Sequence, residues 1–406
     1  LYGASAGLKI AIVEKDKVGG SCLHRGCIPA KELLESAAVN RTVRHAAEFG
    51  VFVDEPKIDW SVTVDRKQRV IDQMWGGLKQ LLGGRKVDVY AGTGTLGPSH
   101  QVHVAGTDGT ETMLIGTSVI LATGSVPRTI PGFEPDGRVV FTSDEFLDLR
   151  TLPLRAAVIG GGAIGCEFAS TLADMGTEVT ILEGLPKILP GCDKDVAAIV
   201  ERSFKKKGMT IRTGVSVTGH APKADGGTVV SFGEETLEVD IVVVSVGRSP
   251  VSRGVVAEGP AVAVSERGFF EVDANCRTAE PGVWAIGDCI ATPQLAHVGF
   301  IEGINAIKDI LGENPAAVDY GKVPWAIYCH PEVSFAGHSE ESAKEAGYEV
   351  VANKHRFIGN GRAVILGHAF GHFVARMTAV DHPALVRGVV LAAAAARQYA
   401  PEIAAT

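Results

Sequence analysis

Residues 155–183, RAAVIGGGAIGCEFASTLADMGTEVTILE, decide how the rest of the chain is read. Ala156–Ile159 is an apolar run of strand length, and Gly160–Gly165 carries the pattern Gly-x-Gly-x-x-Gly. Cys166–Met175 then reads as a helix and Glu178–Glu183 as a second strand ending in an acid. Strand, glycine turn, helix and strand within about 30 residues form a βαβ unit, which implies a parallel sheet. Gly160 and Gly162 permit the tight turn and let a pyrophosphate approach backbone N–H groups. Gly165 lets helix and strand pack closely, and the helix N-terminus favours phosphate charge. Glu183 stands eighteen residues after Gly165, where a carboxylate accepts both ribose hydroxyls of an adenosine. It would repel a 2′-phosphate, and Gly184–Leu185 supplies no arginine to welcome one. The unit is therefore expected to take NAD in preference to NADP.

Outward from this unit, the chain repeats part of its logic. Lys9–Glu14 (KIAIVE) is another short β-rich run ending in an acid, so Glu14 and Glu183 suggest two dinucleotide-binding units. Taken alone, Glu14 is an ordinary solvated strand-end acid, because no glycine-rich turn precedes it. Val87–Val104 and Glu111–Leu121 read as strands with glycine turns, and Pro127, Pro131 and Pro135 mark a connector. Asp240–Val246 and Val283–Ile286 are further strands, each followed by glycine. Ile286–Gly287–Asp288 is a third glycine–acid turn, of a kind that can hold a cofactor's polyol chain. From Val323 the texture changes, with Trp325–Tyr328 and Glu349–Ala352 reading as strands of an α+β unit.

Composition narrows the function classes. In 406 residues, 46% are apolar and 21% charged, as in ordinary globular proteins. Lys and Arg number 39 against 47 Asp and Glu, a net charge of -8 with no basic tract, which argues against nucleic-acid or anionic-membrane partners. The longest apolar run, near Val389–Ala396, is far short of a membrane span, and Leu1–Lys15 lacks the features of a signal peptide. The chain opens without Met and in mid-pattern, and the expectation is of an N-terminal truncation. Seven cysteines, mostly scattered, argue for a reducing, cytoplasmic compartment.

Only Cys22 and Cys27 stand close together, in GGSCLHRGCIPAK (19–31). A disulfide ring this small supplies only roughly 2 kcal/mol of loop entropy, which makes a redox role more attractive than a stabilising one. Gly19–Gly26 reads as a loop, and Pro29 suits the first turn of a helix running to about His45. Cys27 thus precedes a helix N-terminus, whose dipole favours thiolate. A metal clip and two unrelated buried thiols are the rival readings. A zinc site needs a second Cys/His pair at ligand spacing, and none is found, so no metal is expected. His24 between the cysteines reads as a solvated loop residue.

In order along the chain, GGSCLHRGCIPAK (19–31), ATGSVP (122–127), IGGGAIGCEFAS (159–170), SVGRSP (245–250), WAIGDC (284–289), QLAHVGFIEG (294–303) and VPWAIYCHPEV (323–333) resemble the class I pyridine nucleotide–disulfide oxidoreductases. Residues 1–366 are similar to the branch that oxidises dihydrolipoamide. The resemblance implies an α/β fold with two Rossmann-like dinucleotide-binding domains, for FAD and NAD, and a truncated α+β dimerisation domain. It implies dihydrolipoamide:NAD oxidoreduction through a Cys22–Cys27 redox disulfide and FAD, in a homodimer acting on a lipoyl-bearing protein or a small dithiol. Cys22 would meet the lipoyl sulfurs and Cys27 would face the flavin. Lys31 would lie near the flavin and pair with Glu167 beside the nicotinamide. Glu14, Lys31, Gly94, Gly124, Asp288 and Ala296 would contact FAD; Gly160, Gly162, Gly165, Glu183 and Gly247 would contact NAD.

The implied domains are 1–148 (FAD, first part), 149–272 (NAD), 273–318 (FAD, return segment), 319–366 (partial dimerisation domain) and 367–406 (a tail). Residues 363–406 resemble the nucleophile-elbow segment of an α/β-hydrolase, with Gly367–His368–Ala369–Phe370–Gly371 as Gly-x-Ser-x-Gly. Ala369 has no nucleophilic atom, so an inert tail is expected there. The family's His-Pro…Glu pair finds no match: His382–Pro383 is followed by Arg387 where Glu is expected, and no catalytic histidine is assigned. Without that histidine and the first glycine turn, little turnover is expected. The alternatives are a non-catalytic NAD-binding remnant and another disulfide reductase of the family.

Overall fold

The βαβ unit forms as its glycines require. Strand Arg155–Ile159 leads through a glycine turn into helix Ala163–Asp174 and then strand Glu178–Glu183. The structure, a computed structural model, describes residues 1–224, 226–354, 363–367 and 386–391. The expectations for His368–Gly371 and His382–Pro383 lie outside the described residues.

Five strands run in the order Thr210–Thr213, Glu178–Glu183, Arg155–Ile159, Ile241–Val244 and Val140–Thr142. All neighbours in this sheet are parallel. Its edge strand Val140–Thr142 comes from ahead of the boundary expected at 149. From Arg155–Ile159 the sheet grows in both directions, which opens a crevice at the carboxyl ends of that strand and Ile241–Val244. Ligands of open α/β sheets bind at such switch points.

Both faces of this sheet are covered. Ala157, Ile159, Leu182, Val242 and Val244 pack with Val230, Phe232 and Val239 of an antiparallel three-stranded sheet. The alternate residues Ala156, Val158, Ile181 and Val243 turn to the other core, with Phe168, Leu172 and Phe204. This is the period-2 pattern of a strand sandwiched between layers. Helix Cys27–Arg44 joins the second core through Ala30, Leu33 and Ala37, one stripe of its surface. The cysteine-bearing segment is thereby fixed against helix Ala163–Asp174.

Outside this sheet, Ala11–Glu14 pairs in parallel with Asp88–Leu96, which continues antiparallel through Gln101–Gly106 and Glu111–Ile115. Val119–Leu121 pairs in parallel with Val283–Ala285, and Ser125–Pro127 antiparallel with Arg248–Pro250. The hairpin Pro324–Ile327 and Val333–Ala336 completes a unit spanning Leu1–Gly337. In the second unit, His338–Thr406, helix Glu340–Glu345 is capped by Ser339, and strands Ala363–Gly367 and Val386–Leu391 pair in parallel. Among the described residues no helix is long and apolar enough to cross a membrane.

Two local readings are corrected. Residues 349–352 form no strand, and Val351 is 83% exposed; a short β-branched run needs a ladder partner, and none among the described residues supplies one. Gly19–Gly26 is not all loop, because Gly20–Arg25 winds into a short helix. Gly19 at φ +127° and Gly26 at φ −145°, ψ −113° supply the two sharp bends that bracket it.

Candidate active site

Cys22 lies inside that short helix, and Cys27 is the first helical residue of Cys27–Arg44, with Gly26 as its N-cap. A side chain at Gly26 would stand 2.9 Å from the Ser21 carbonyl oxygen, so glycine lets the two cysteine segments close on each other. Both cysteines are half-buried thiols. A hydrogen bond from the Cys22 thiol is the largest influence on Cys27. With the nearby Lys31 ammonium, and against burial, it lowers Cys27 to about 7. The same bond, followed by burial, pushes Cys22 far up. The other five cysteines are all shifted upward by burial, Cys192 to about 11 and Cys276 and Cys329 to about 12. Of the seven, Cys27 alone is primed toward thiolate.

Lys31 follows Cys27 by one helical turn. Its Nζ donates to Glu167 Oε1 at 2.9 Å and Oε2 at 2.8 Å, across 136 residues of sequence. Glu167 is deeply buried on helix Ala163–Asp174, its side chain 6% exposed against 34% for Lys31. The backbone N–H of Tyr328 also donates to Glu167 Oε1, at 2.9 Å, and the Tyr328 ring lies 4.7 Å from the Lys31 ammonium. The sequence gives no sign of Tyr328's part beyond its place in VPWAIYCHPEV.

At the glycine turn, Gly160 holds φ +105°, and a Cβ there would lie 2.4 Å from the Ser245 carbonyl oxygen. A Cβ on Gly165 would stand 1.9 Å from the Gly160 carbonyl oxygen, so close packing of helix on strand excludes any side chain. Gly162, the N-cap of the helix, and Gly247, at φ +106°, both face open space. Glu183 is buried, accepting from Gly161 N–H at 2.5 Å and Leu185 N–H at 2.7 Å. Ser245 Oγ, next to the crevice, is buried without a hydrogen-bond partner among the described residues. Open glycines, a helix N-terminus, an anchored acid and an unanswered hydroxyl fit a dinucleotide.

The second set of glycines converges likewise. Gly124 and Gly287, at φ +71° and +72°, have open space where a Cβ would be. Asp288 accepts from Ser125 Oγ–H at 2.5 Å, and Ser125 Oγ accepts from Arg248 Nε–H at 2.7 Å. Three motifs far apart in sequence thus meet at one acid; Arg248 and Ser125 carry no individual signal in the sequence. Ala296 opens helix Ala296–Ile310, and Gln294 before it reaches the Asp288 carbonyl oxygen at 3.4 Å. Glu14 ends its strand in register with Ala91 and accepts from Asp16 N–H at 3.0 Å. Gly94 leaves little room beside it, since a Cβ there would meet Val13 Cγ1 at 3.2 Å. These residues fit a second, flavin-bearing dinucleotide.

Two closely spaced thiols, together with two glycine turns that fit dinucleotides, point to a class, and comparison with known proteins gives the same one. The family model described as pyridine nucleotide-disulphide oxidoreductase matches residues 1–303, and that of its dimerisation domain matches residues 323–406. The chain belongs to this family of flavoprotein disulfide oxidoreductases, with FAD and NAD as cofactors. A dihydrolipoyl dehydrogenase of Bacillus subtilis is 40% identical over 390 residues, covering 91% of this chain and 81% of the relative. A second one from the same organism is 36% identical over 407 residues, covering 99% and 86%. Among solved structures, the HOCl-induced flavoprotein disulfide reductase of Escherichia coli, as its Cu(II) complex, matches at 27% identity and TM-score 0.76, over 85% of this chain and 76% of that one. LpdA of Mycobacterium tuberculosis, at 24% identity and TM-score 0.79 over 85% and 76%, shares the fold. The dimerisation-domain match runs through 367–406, the stretch expected to be a hydrolase-like tail.

Proposed function

We propose that this chain oxidises a dihydrolipoyl dithiol and passes the electron pair to NAD, through a Cys22–Cys27 disulfide and FAD. The observation that carries the reading is the single lowered thiol, Cys27, which accepts a hydrogen bond from the Cys22 thiol at a helix N-terminus beside Lys31 and Glu167.

The unequal thiols set the direction of attack. A substrate thiolate attacks Cys22 Sγ, the S–S bond to Cys27 breaks, and Cys27 leaves as thiolate. The thiol with the lower pKa is the better leaving group. The second substrate sulfur then attacks the first, releasing Cys22 and closing the substrate disulfide. Two electrons pass to the protein dithiol, and the substrate gives up two protons. FAD held by this chain would supply the two-electron relay, and NAD the hydride acceptor, that carry this electron pair away from the dithiol.

The chain's own residues hold the parts in line. Glu14, Lys31, Gly94, Gly124, Asp288 and Ala296 would hold FAD; Gly160, Gly162, Gly165, Glu183 and Gly247 would hold NAD. Each Glu183 oxygen accepts one backbone N–H and retains capacity for a ribose hydroxyl, while its charge opposes a 2′-phosphate. Lys31 compensates the buried Glu167 and lends positive charge to Cys27. The working form is a homodimer, by the dimerisation-domain match. A reducing, cytoplasmic setting suits seven cysteines that are mostly scattered along the chain.

The test is NADH formation from NAD and dihydrolipoamide by the purified, FAD-loaded chain. Turnover that is lost in Cys27→Ser supports the proposal. A chain that binds NADH but never flavin is the non-catalytic remnant, and one that turns over another disulfide with NADPH is a different reductase.

A further inference from the structure

Glu302 is a fully buried carboxylate for which the redox chemistry has no use. It projects from helix Ala296–Ile310 and is 0% exposed. Its Oε2 accepts the backbone N–H of Gly287 at 2.6 Å, and its Oε1 accepts the Tyr320 hydroxyl at 2.9 Å. Gly287 opens the short turn Gly287–Cys289 that presents Asp288, and it does so in the left-handed region at φ +72°.

The helix is shaped to bring this carboxylate to the turn. Gly299 lies one turn before Glu302, and Gly303 follows it. A Cβ on Gly299 would stand 3.5 Å from Gly287 Cα, and one on Gly303 would stand 3.3 Å from Ile286 Cδ1. The helix thus lies close against Ile286–Gly287, and the Glu302 carboxylate spans from one to the other with a hydrogen bond. Burial pushes the Glu302 carboxyl up, opposed by the bond from Gly287. A buried acid is costly to keep unless its bonds do something an apolar side chain cannot.

We infer that Glu302 is a positioning residue for the flavin: by holding Gly287 N–H it fixes the turn that aims Asp288, and so sets how long FAD stays bound. This rests on the reading that Asp288 faces FAD. Tyr320 clamps the other carboxylate oxygen and prevents the side chain from turning away. Asp288 itself is held by Ser125 and, through it, Arg248, so Glu302 governs the turn's backbone while that chain governs the acid's side chain.

The test is the FAD dissociation rate of the full chain, followed as the flavin retained on the protein after gel filtration at timed intervals following dilution, alongside the melting temperature of each apoprotein. Glu302→Gln keeps an acceptor for Gly287 and a donor for a rotated Tyr320 hydroxyl, and is expected to release FAD within about twofold of the parent. Glu302→Met matches the shape but accepts no strong hydrogen bond, and is expected to release FAD roughly tenfold faster while the apoprotein melts near the parent. Glu302→Asp keeps the charge but falls a methylene short of Gly287; it is expected to follow Met, and it decides the matter if the Met variant does not fold. FAD release at the parental rate from Met or Asp overturns the role of Glu302. A parent chain that takes up no FAD overturns the underlying reading as well.

Discussion

Replacing Cys22 tests whether the thiol pair is electrostatically unequal in the way the structure has it. The hydrogen bond from Cys22 is the largest influence holding Cys27 at about 7. A hydrogen bond to a charged acceptor is worth about 1.5–3 kcal/mol, and each pKa unit corresponds to about 1.4 kcal/mol, so removing it shifts Cys27 up by about 1–2 units. Cys22→Ala is therefore expected to move the midpoint to about 8–9, whereas Cys22→Ser, whose hydroxyl still donates, stays near the parental value. The thiolate dominates above its midpoint, so a rise removes reactive species at neutral pH. Alkylation of Cys27 at pH 7 should slow by about 5–50-fold in the Ala variant relative to Ser. The assay is the pH dependence of iodoacetamide labelling of the reduced full chain, read at the Cys27 peptide by mass spectrometry. Coincident midpoints for the two variants would refute the argument and leave the helix N-terminus and Lys31 as the sources of the shift.

The Lys31–Glu167 pair should respond asymmetrically, because Glu167 is the more deeply buried partner. Lys31→Met strands a buried carboxylate and is expected to lower stability by roughly 2–3 kcal/mol, against under about 1 kcal/mol for Glu167→Gln, which still accepts from Tyr328; urea unfolding measures both. Gly165→Ala drives a methyl into the Gly160 carbonyl and should destabilise by about 4 kcal/mol or prevent folding, while Gly162→Ala meets open space and should change stability by under about 1 kcal/mol yet weaken NADH binding in a fluorescence titration. NADH is expected to bind more tightly than NADPH, with Glu183→Ala narrowing the gap; equal affinities in the parent would end the assignment of Glu183. Non-reducing mass spectrometry of air-oxidised protein should find Cys22 linked to Cys27, and both remaining free would count against the redox pair.

What the sequence determined is what the backbone demands locally. Gly160 and Gly165 are legible because a tight turn and a close helix–strand approach leave no room for Cβ, and the requirement recurs at fixed spacing. Strand Glu178–Glu183 and helix Cys27–Arg44 are legible from apolar periodicity and from proline and glycine at their ends. The cysteine pair is visible as well, and its place at a helix start already favours a Cys27 thiolate; the hydrogen bond from Cys22, the largest influence on that thiol, is not visible, since it depends on what stands opposite. The resemblance, and no pattern in the residues themselves, implied that Lys31 pairs with Glu167; only the tertiary structure decided that Tyr328 backs both and that Arg248, Ser125 and Asp288 form one chain of hydrogen bonds. The same holds for Val140–Thr142, three residues without a pattern of their own, which become a strand by pairing with Ile241–Val244. It holds again for Glu302, one more acid on a helix until burial places it against Gly287. Spacing records constraints within one turn or one strand. Partners more than a hundred residues apart are chosen when both faces of a sheet must be covered, and nothing at either position alone shows which helix will cover them.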